Sequence, residues 1–173
     1  GNLYDELKLN ASIRSIFYSH KFISYFSKLL RAHECDLYIN GYMVRLDIPY
    51  DTRNILDWHQ DSPYYEQTYP EFNSAVCWLP LTKNTIDNGT LKLIPCTHEK
   101  FISVPHKNKN LDNTSTQYPI KPSSKQLQNT KDLTSELGDM CALHINLFHR
   151  SGENTSSKCR ITAGCRYHDM TKS

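Results

Sequence analysis

The sequence predicts an all-β core, an antiparallel sandwich or barrel, with helices packed over it at the N-terminal side. Three observations predict it. Residues 3–35 carry apolar side chains at close to a 3.6-residue spacing. From Leu37 onward that spacing is replaced by short apolar runs separated by turn residues. No helical period lies between those runs, so crossover helices are lacking and the strands are expected to pair antiparallel.

The helical stripe consists of Leu3, Leu7, Ile13, Ile16, Phe17, Phe22, Ile23, Phe26 and Leu30. Asn10 or Ser12 is placed to cap a second helix after a break. The expected role of residues 1–35 is to cover a core. Leu37-Tyr38-Ile39 and Tyr42 to Ile48 read as two strands joined by an Asn40-Gly41 hairpin turn. Leu56 to Asp61 and Ala75 to Leu79 read as further strands. Leu91 to Ile94 follows the turn Asp87-Asn88-Gly89, and Met140 to Leu143 and Ile161 to Tyr167 complete the set. Lys107 to Thr134 is rich in Asn, Ser, Thr, Lys and Gln, with Pro119 and Pro122. It is too long and polar for a simple connection, and such segments are disordered or act as lids. No internal repeat is present.

The chain of 173 residues suits one domain, 1–173, with the core over 37–168. Hydrophobic residues make up 38% and include 11 Tyr, 6 Phe and 2 Trp, enough for a packed core or an aromatic-lined pocket. Twenty basic residues against 18 acidic ones give a net charge of +2, which argues against a dedicated nucleic-acid binder. No run approaches the ~20 apolar residues of a membrane span, and no secretory leader is legible. A cytoplasmic location is therefore expected. Cys35, Cys77, Cys96, Cys141, Cys159 and Cys165 form no CxxC pair and read as reduced, mostly buried residues; a secreted disulfide framework is the weaker reading. The sequons Asn88-Gly89-Thr90 and Asn154-Thr155-Ser156 matter only in a secretory compartment.

Two segments carry chemistry. In Trp58-His59-Gln60-Asp61, strand alternation directs His59 and Asp61 to one face, although this tripeptide pattern alone is common. The second segment runs from Gly138 to Asn154 and contains His149; Arg160 follows. Two His and one carboxylate, with the second His far along the chain, form the facial triad of non-haem Fe(II) oxygenases. A nearby Arg can hold a carboxylate through paired, charge-assisted hydrogen bonds.

Four segments in order resemble the phytanoyl-CoA dioxygenase family of Fe(II)/2-oxoglutarate oxygenases. They are Trp58-His59-Gln60-Asp61; Trp78-Leu79-Pro80-Leu81 with Asp87-Asn88-Gly89-Thr90-Leu91; Leu93-Ile94-Pro95-Cys96-Thr97-His98; and His149-x-Ser151-Gly152-x-Asn154 followed by Arg160. Together they span most of the chain. The resemblance implies a double-stranded β-helix, the jelly-roll or cupin-like fold. It implies His59, Asp61 and His149 as iron ligands and Arg160 as the partner of the distal carboxylate of 2-oxoglutarate. Ser151, Trp78 and Gln60 match positions that line the cosubstrate or substrate pocket. The cosubstrates would be 2-oxoglutarate and O2, and the substrate a small molecule. There are departures: Cys96 stands where the family has Gly, and many members are longer at the N-terminus. Asp61 is retained where related halogenases carry a small residue, which favours hydroxylation.

Other residues have two readings each. Arg45 shares a strand face with Asp47, and either binds an anionic substrate or cosubstrate or forms an exposed pair. Tyr64, Tyr65 and Tyr69 either line the substrate mouth or pack, packing being favoured for at least two. His98 is expected to hydrogen-bond structurally. His144 is expected to face away from His149 by strand alternation, and His168 is not expected to ligate. Lys107, Lys109, Lys121, Lys125 and Lys131 read as a solvated loop rather than an anion-attracting surface. The leading functional expectation is a 2-oxoglutarate-dependent hydroxylase, with succinate as coproduct. Its rivals are another oxidative outcome at the same iron, a non-catalytic jelly-roll ligand binder, and a cupin-type site with another metal.

Overall fold

The structure is a computed structural model that describes residues 10–53, 55–68, 73–102 and 118–172. The expected helical positions Leu3 and Leu7, Tyr69, and residues 107–117 of the polar segment lie outside the described residues.

Among the described residues two α-helices come first, α1 (Ala11–Phe17) and α2 (His20–Leu30). Asn10 caps α1, its side chain accepting from the Ile13 amide at 3.1 Å. α2 ends at Arg31, whose left-handed φ of 55° forms the C-cap, and a 3-10 turn at Glu34–Asp36 leads into the sheet instead of a continuous helix to residue 35.

Seven strands follow among the described residues: β1 (Leu37–Asp47), β2 (Ser74–Pro80), β3 (Lys92–Ile94), β4 (Lys131–Asp132), β5 (Cys141–His144), β6 (Phe148–Arg150) and β7 (Arg160–Asp169). They form two antiparallel sheets with orders β1-β7-β2-β5 and β4-β3-β6. The four-stranded sheet is covered on both faces. Ala75, Cys77, Leu79, Ala163, Cys165 and Tyr167 point to the helices and pack with Phe17, Phe26 and Leu30. Tyr167 stacks on Phe26 with ring centroids 3.9 Å apart, and its hydroxyl donates to the Phe17 carbonyl at 2.5 Å. Burying each such ring contributes about 1.5–3 kcal/mol. The alternate residues Val76, Trp78, Arg160 and Arg166 face the opposite way and line a cavity.

Four expectations change. Asn40-Gly41 is no hairpin turn, because β1 is one strand whose pairing with β7 shifts register between Asn40 and Met43. This bulge uses a positive φ of 62° at Gly41 and switches the strand's parity. Ile39 before it and Val44 after it both face the helices, which leaves Met43 and Arg45 to the cavity. Leu56 to Asp61 is no strand either; only an isolated bridge between His59 and His149 survives. The ladder ends because the amides of Asp61 and Ser62 both turn to the Ile145 carbonyl, at 2.9 and 3.3 Å, just before Pro63. His144 and His149 lie on different strands of different sheets, so alternation along one strand is not what separates them. Finally, only Cys77 and Cys165 are buried; Cys35 and Cys96 are exposed, and all six are free thiols. Within 118–134 the polar segment holds a one-turn helix, α3 (Ser124–Leu127), and β4, which includes Lys131. No helix among the described residues is long and apolar enough to cross a membrane.

Candidate metal centre

His59 and His149 meet through the bridge between the loop after β1 and strand β6. Each amide donates to the other's carbonyl, at 3.0 and 3.1 Å. The rings are brought to a centroid separation of 4.2 Å. Two residues beyond His59, Asp61 points to the same place. Its Oδ1 lies 3.6 Å from Nε2 of His59 and 3.6 Å from Nε2 of His149. All three side chains are buried, and their ligand atoms fall within 4.8 Å of one another.

The backbone sets the tautomers. Nδ1 of His59 sits 2.7 Å from the Asp57 carbonyl, and Nδ1 of His149 sits 2.9 Å from the Leu147 carbonyl. A carbonyl only accepts, so each Nδ1 carries the proton and each Nε2 turns a lone pair towards Asp61. Burial, reinforced by neighbouring His59, lowers His149 to about 4, so it is neutral near pH 7. Burial alone would raise the Asp61 carboxyl; the Arg166 guanidinium beside it overcomes this and holds it well below the usual carboxylate range. Two imidazole nitrogens and one ionised carboxylate are the donor set of a divalent first-row metal with open positions.

The adjoining cavity has a volume of about 70 Å³ and includes Trp78, Ser151, Arg160 and Arg45 in its wall. Arg160 is fully buried. Its Nη2 donates to Oδ2 of Asp47 at 2.6 Å, while Oδ1 of Asp47 accepts from Nε of Arg45 at 2.7 Å. One carboxylate thus serves two guanidiniums, leaving one positive charge uncompensated within the trio. Nε and Nη1 of Arg160 are buried with no partner among the described residues. Such orphan donors cost about 1–3 kcal/mol each unless a ligand accepts from them. Burial lowers Arg160 to about 10 against the opposing pull of Asp47, so it stays charged near neutrality. Its guanidinium lies 5.7 Å from the centre of the Trp78 ring. Ser151 is tied to the Leu56 backbone, its hydroxyl accepting at 3.1 Å.

Gln60 departs from expectation. Its side-chain amide donates to the carbonyls of Lys100 and Asn146 at 2.6 and 2.7 Å, and its oxygen accepts from Ile102 at 2.8 Å. Alternation turns it away from its neighbours His59 and Asp61, and it clamps backbone instead of lining the cavity. Tyr64 meets His59 edge-on at 6.3 Å and Tyr118 at 4.7 Å, beside the triad but outside the cavity wall. Tyr65 packs against Arg166 and His168. The bonds tying the turn after β3 come from Thr97, whose hydroxyl donates to Ile94 and accepts from Phe148, rather than from His98, which packs on His144. Cys96 keeps a left-handed φ of 61°, the conformation for which glycine is suited. His168 is no ligand: it bonds Ser74 Oγ and Asn40 Oδ1, each at 2.7 Å.

Two motif segments also find each other. Asn88 and Asn154 form a bridge, and Gly89 and Gly152 let the two loops touch backbone to backbone. Asn154 then donates to the carbonyls of Asp47 and Lys158, at 2.7 and 2.8 Å, fastening the end of β1 beside the start of β7.

The family model for phytanoyl-CoA dioxygenase (PhyH) matches residues 13–162. The chain belongs to the phytanoyl-CoA dioxygenase family. Solved structures share the double-stranded β-helix. EvdO2 from Micromonospora carbonacea var. aurantiaca superposes with a TM-score of 0.74 at 18% identity, over 91% of this chain and 63% of its own. EctD from S. alaskensis, solved with 2-oxoglutarate and 5-hydroxyectoine, gives a TM-score of 0.74 at 18% identity, over 96% of this chain and 56% of its own. SnoN, an alpha-ketoglutarate-dependent epimerase of nogalamycin biosynthesis, gives 0.68 at 14% identity, over 96% and 60%. This phytanoyl-CoA dioxygenase family chain thus spans about six-tenths of the length of those proteins. No curated protein sequence matches it.

Sequence reasoning missed Arg166. Its Nε and Nη2 donate to Oδ2 of Asp61 at 3.0 and 2.7 Å. The signal was available: Arg166 lies an even number of residues beyond Arg160 on one strand, so the two share the inward face. Thr162 lies between them, and its buried hydroxyl also lacks a partner among the described residues.

Proposed function

We propose that this chain is the core of an Fe(II)/2-oxoglutarate-dependent oxygenase that hydroxylates a small molecule. The observation that carries the reading is the pairing, around one cavity, of a His-Asp-His ligand set with a buried arginine that has unspent donors. His59, Asp61 and His149 would hold the metal. Arg160 would receive the distal carboxylate of the 2-oxo acid with donors that Asp47 leaves unused, while Asp47 holds its Nη2. Ser151 and Trp78 wall that part of the cavity. Arg45 belongs to the same end, since it neutralises Asp47. Tyr64, edge-on to His59, is assigned to the substrate side.

Iron with a bound 2-oxo acid supplies the oxidising power for inserting oxygen from O2 into a C–H bond, with succinate and carbon dioxide as coproducts. The chain's own residues keep the His149 imidazole neutral, hold the carboxylate ionised, and present a fixed cation to the cosubstrate. Retention of Asp61 supports oxygen transfer over halide transfer.

Anaerobic titration of the apo protein with Fe(II) and then 2-oxoglutarate tests this. A weak visible charge-transfer band that saturates, and is lost in Asp61→Ala, is expected. Metal binding without the band would turn the reading towards another cupin-type metal site. Failure to bind metal at all would favour a non-catalytic ligand binder.

A further inference from the structure

The Arg166 guanidinium touches the ligand set without belonging to it. Two of its bonds go to Oδ2 of Asp61, at 3.0 Å from Nε and 2.7 Å from Nη2. The other oxygen, Oδ1, is the one that faces both imidazoles at 3.6 Å. The two oxygens of Asp61 are therefore already divided between guanidinium and metal position.

The fold is arranged to hold this division. Arg166 Nη1 donates to the Gly41 carbonyl at 3.2 Å, and its guanidinium lies 5.5 Å from the centre of the Tyr65 ring. Gly41 sits in the β1 bulge with φ of +62°, and a Cβ there would come within 2.8 Å of Arg166 Nη1 and 2.9 Å of the Tyr65 hydroxyl. The bulge thus gives the guanidinium both an acceptor and the room it occupies.

We propose that Arg166 is a positioning residue that ties Oδ2 of Asp61, so that the carboxylate reaches the metal through Oδ1 alone and three coordination positions stay open. This rests on the reading of His59, Asp61 and His149 as metal ligands. A carboxylate free to use both oxygens would take one of the positions that a chelating cosubstrate and O2 require. A guanidinium also repels an incoming cation, so its retention beside a metal ligand needs a benefit, and orientation is that benefit.

The two effects predict opposite signs, which makes the test decisive. The full-length apo protein, its Arg166→Lys variant and its Arg166→Met variant are titrated anaerobically with Co(II), following the visible ligand-field absorption. Apo thermal unfolding confirms that each is folded. Lysine keeps the charge but not the two-pronged contact, so a folded Lys variant isolates geometry if methionine fails to fold. Positioning predicts affinity lower by about 10–100-fold in both variants, the scale for partners of metal ligands. It also predicts a changed band shape, because the coordination number rises when Asp61 is released. Unchanged or tighter Co(II) binding with an unaltered spectrum would overturn the proposal, since a bystander cation only repels. Asp61→Ala separates this from failure of the underlying reading: if it binds Co(II) as wild type does, the ligand assignment itself is wrong.

Discussion

Replacing Arg160 by methionine separates cosubstrate recognition from stability. Methionine keeps much of the volume and removes the charge. In the apo protein the loss is buffered, because Asp47 retains Nε of Arg45 at 2.7 Å. Two buried donors without partners, Nε and Nη1, disappear with the guanidinium. Relief of those donors, about 1–3 kcal/mol each, offsets loss of the Asp47 contact, so apo stability should change by less than about 2 kcal/mol. The cosubstrate sees the opposite. Two charge-assisted hydrogen bonds of about 1.5–3 kcal/mol each would vanish, a loss of at least about 100-fold in affinity for 2-oxoglutarate. The assay is anaerobic titration of the Fe(II)-loaded protein with 2-oxoglutarate and, in parallel, with 2-oxopentanoate, which has a methyl group in place of the distal carboxylate. Wild type should prefer 2-oxoglutarate strongly, and Arg160→Met should erase that preference while leaving 2-oxopentanoate binding unchanged. If both acids weaken equally, or if the preference survives, Arg160 does not hold the distal carboxylate. If the apo variant unfolds, its contact with Asp47 is chiefly structural.

Asp61→Ala and His149→Ala should each abolish Fe(II)-dependent turnover with the fold retained, read by succinate formation beside circular dichroism. Gln60→Leu should cost about 1–3 kcal/mol in thermal stability, because the carbonyls of Lys100 and Asn146 and the Ile102 amide lose their partner, while 2-oxoglutarate affinity stays near wild type. Gly152→Ala should destabilise the chain, since a Cβ there runs into the Thr90 carbonyl and the Gly89 backbone; a melting temperature equal to wild type would refute that close packing. Apo stability should fall as pH drops from about 6.5 towards 4. Burial lowers both His149 and His168 to about 4, so over that interval the unfolded chain binds protons that the folded one refuses. Each group contributes a slope of up to ~1.4 kcal/mol per pH unit, and His168→Asn should remove its share in denaturant titrations across that range.

The reach of sequence reasoning here follows physical range. Alternation places residues i and i+2 on one strand face, so His59 with Asp61, and Arg45 with Asp47, were legible as pairs. Composition and the change of period at Leu37 were enough for an all-β core beneath helices. The apolar run from Ala75 to Leu79 read as a strand, and in the structure every residue of β2 is buried. Asn40-Gly41, in contrast, satisfies a hairpin turn and a bulge equally well, since both use glycine at positive φ. Only the uninterrupted pairing of β1 with β7 selects the bulge.

Choices made between distant segments were decided by the tertiary structure. A lone histidine pattern carries no distance, and the bridge between His59 and His149 is what closes the ligand set. Asp47 was visible as a partner for Arg45; its second bond, to Arg160, depends on β1 lying beside β7. Parity with Arg160 could have marked Arg166 as inward-facing, but its aim at Asp61 depends on the bulge that gives its guanidinium room. Local residue types thus set the chemistry available to this chain. Which oxygen meets which cation, and which donors stay unspent for a ligand, was set by packing, because hydrogen bonds and ion pairs are decided over a few ångströms between residues about a hundred positions apart.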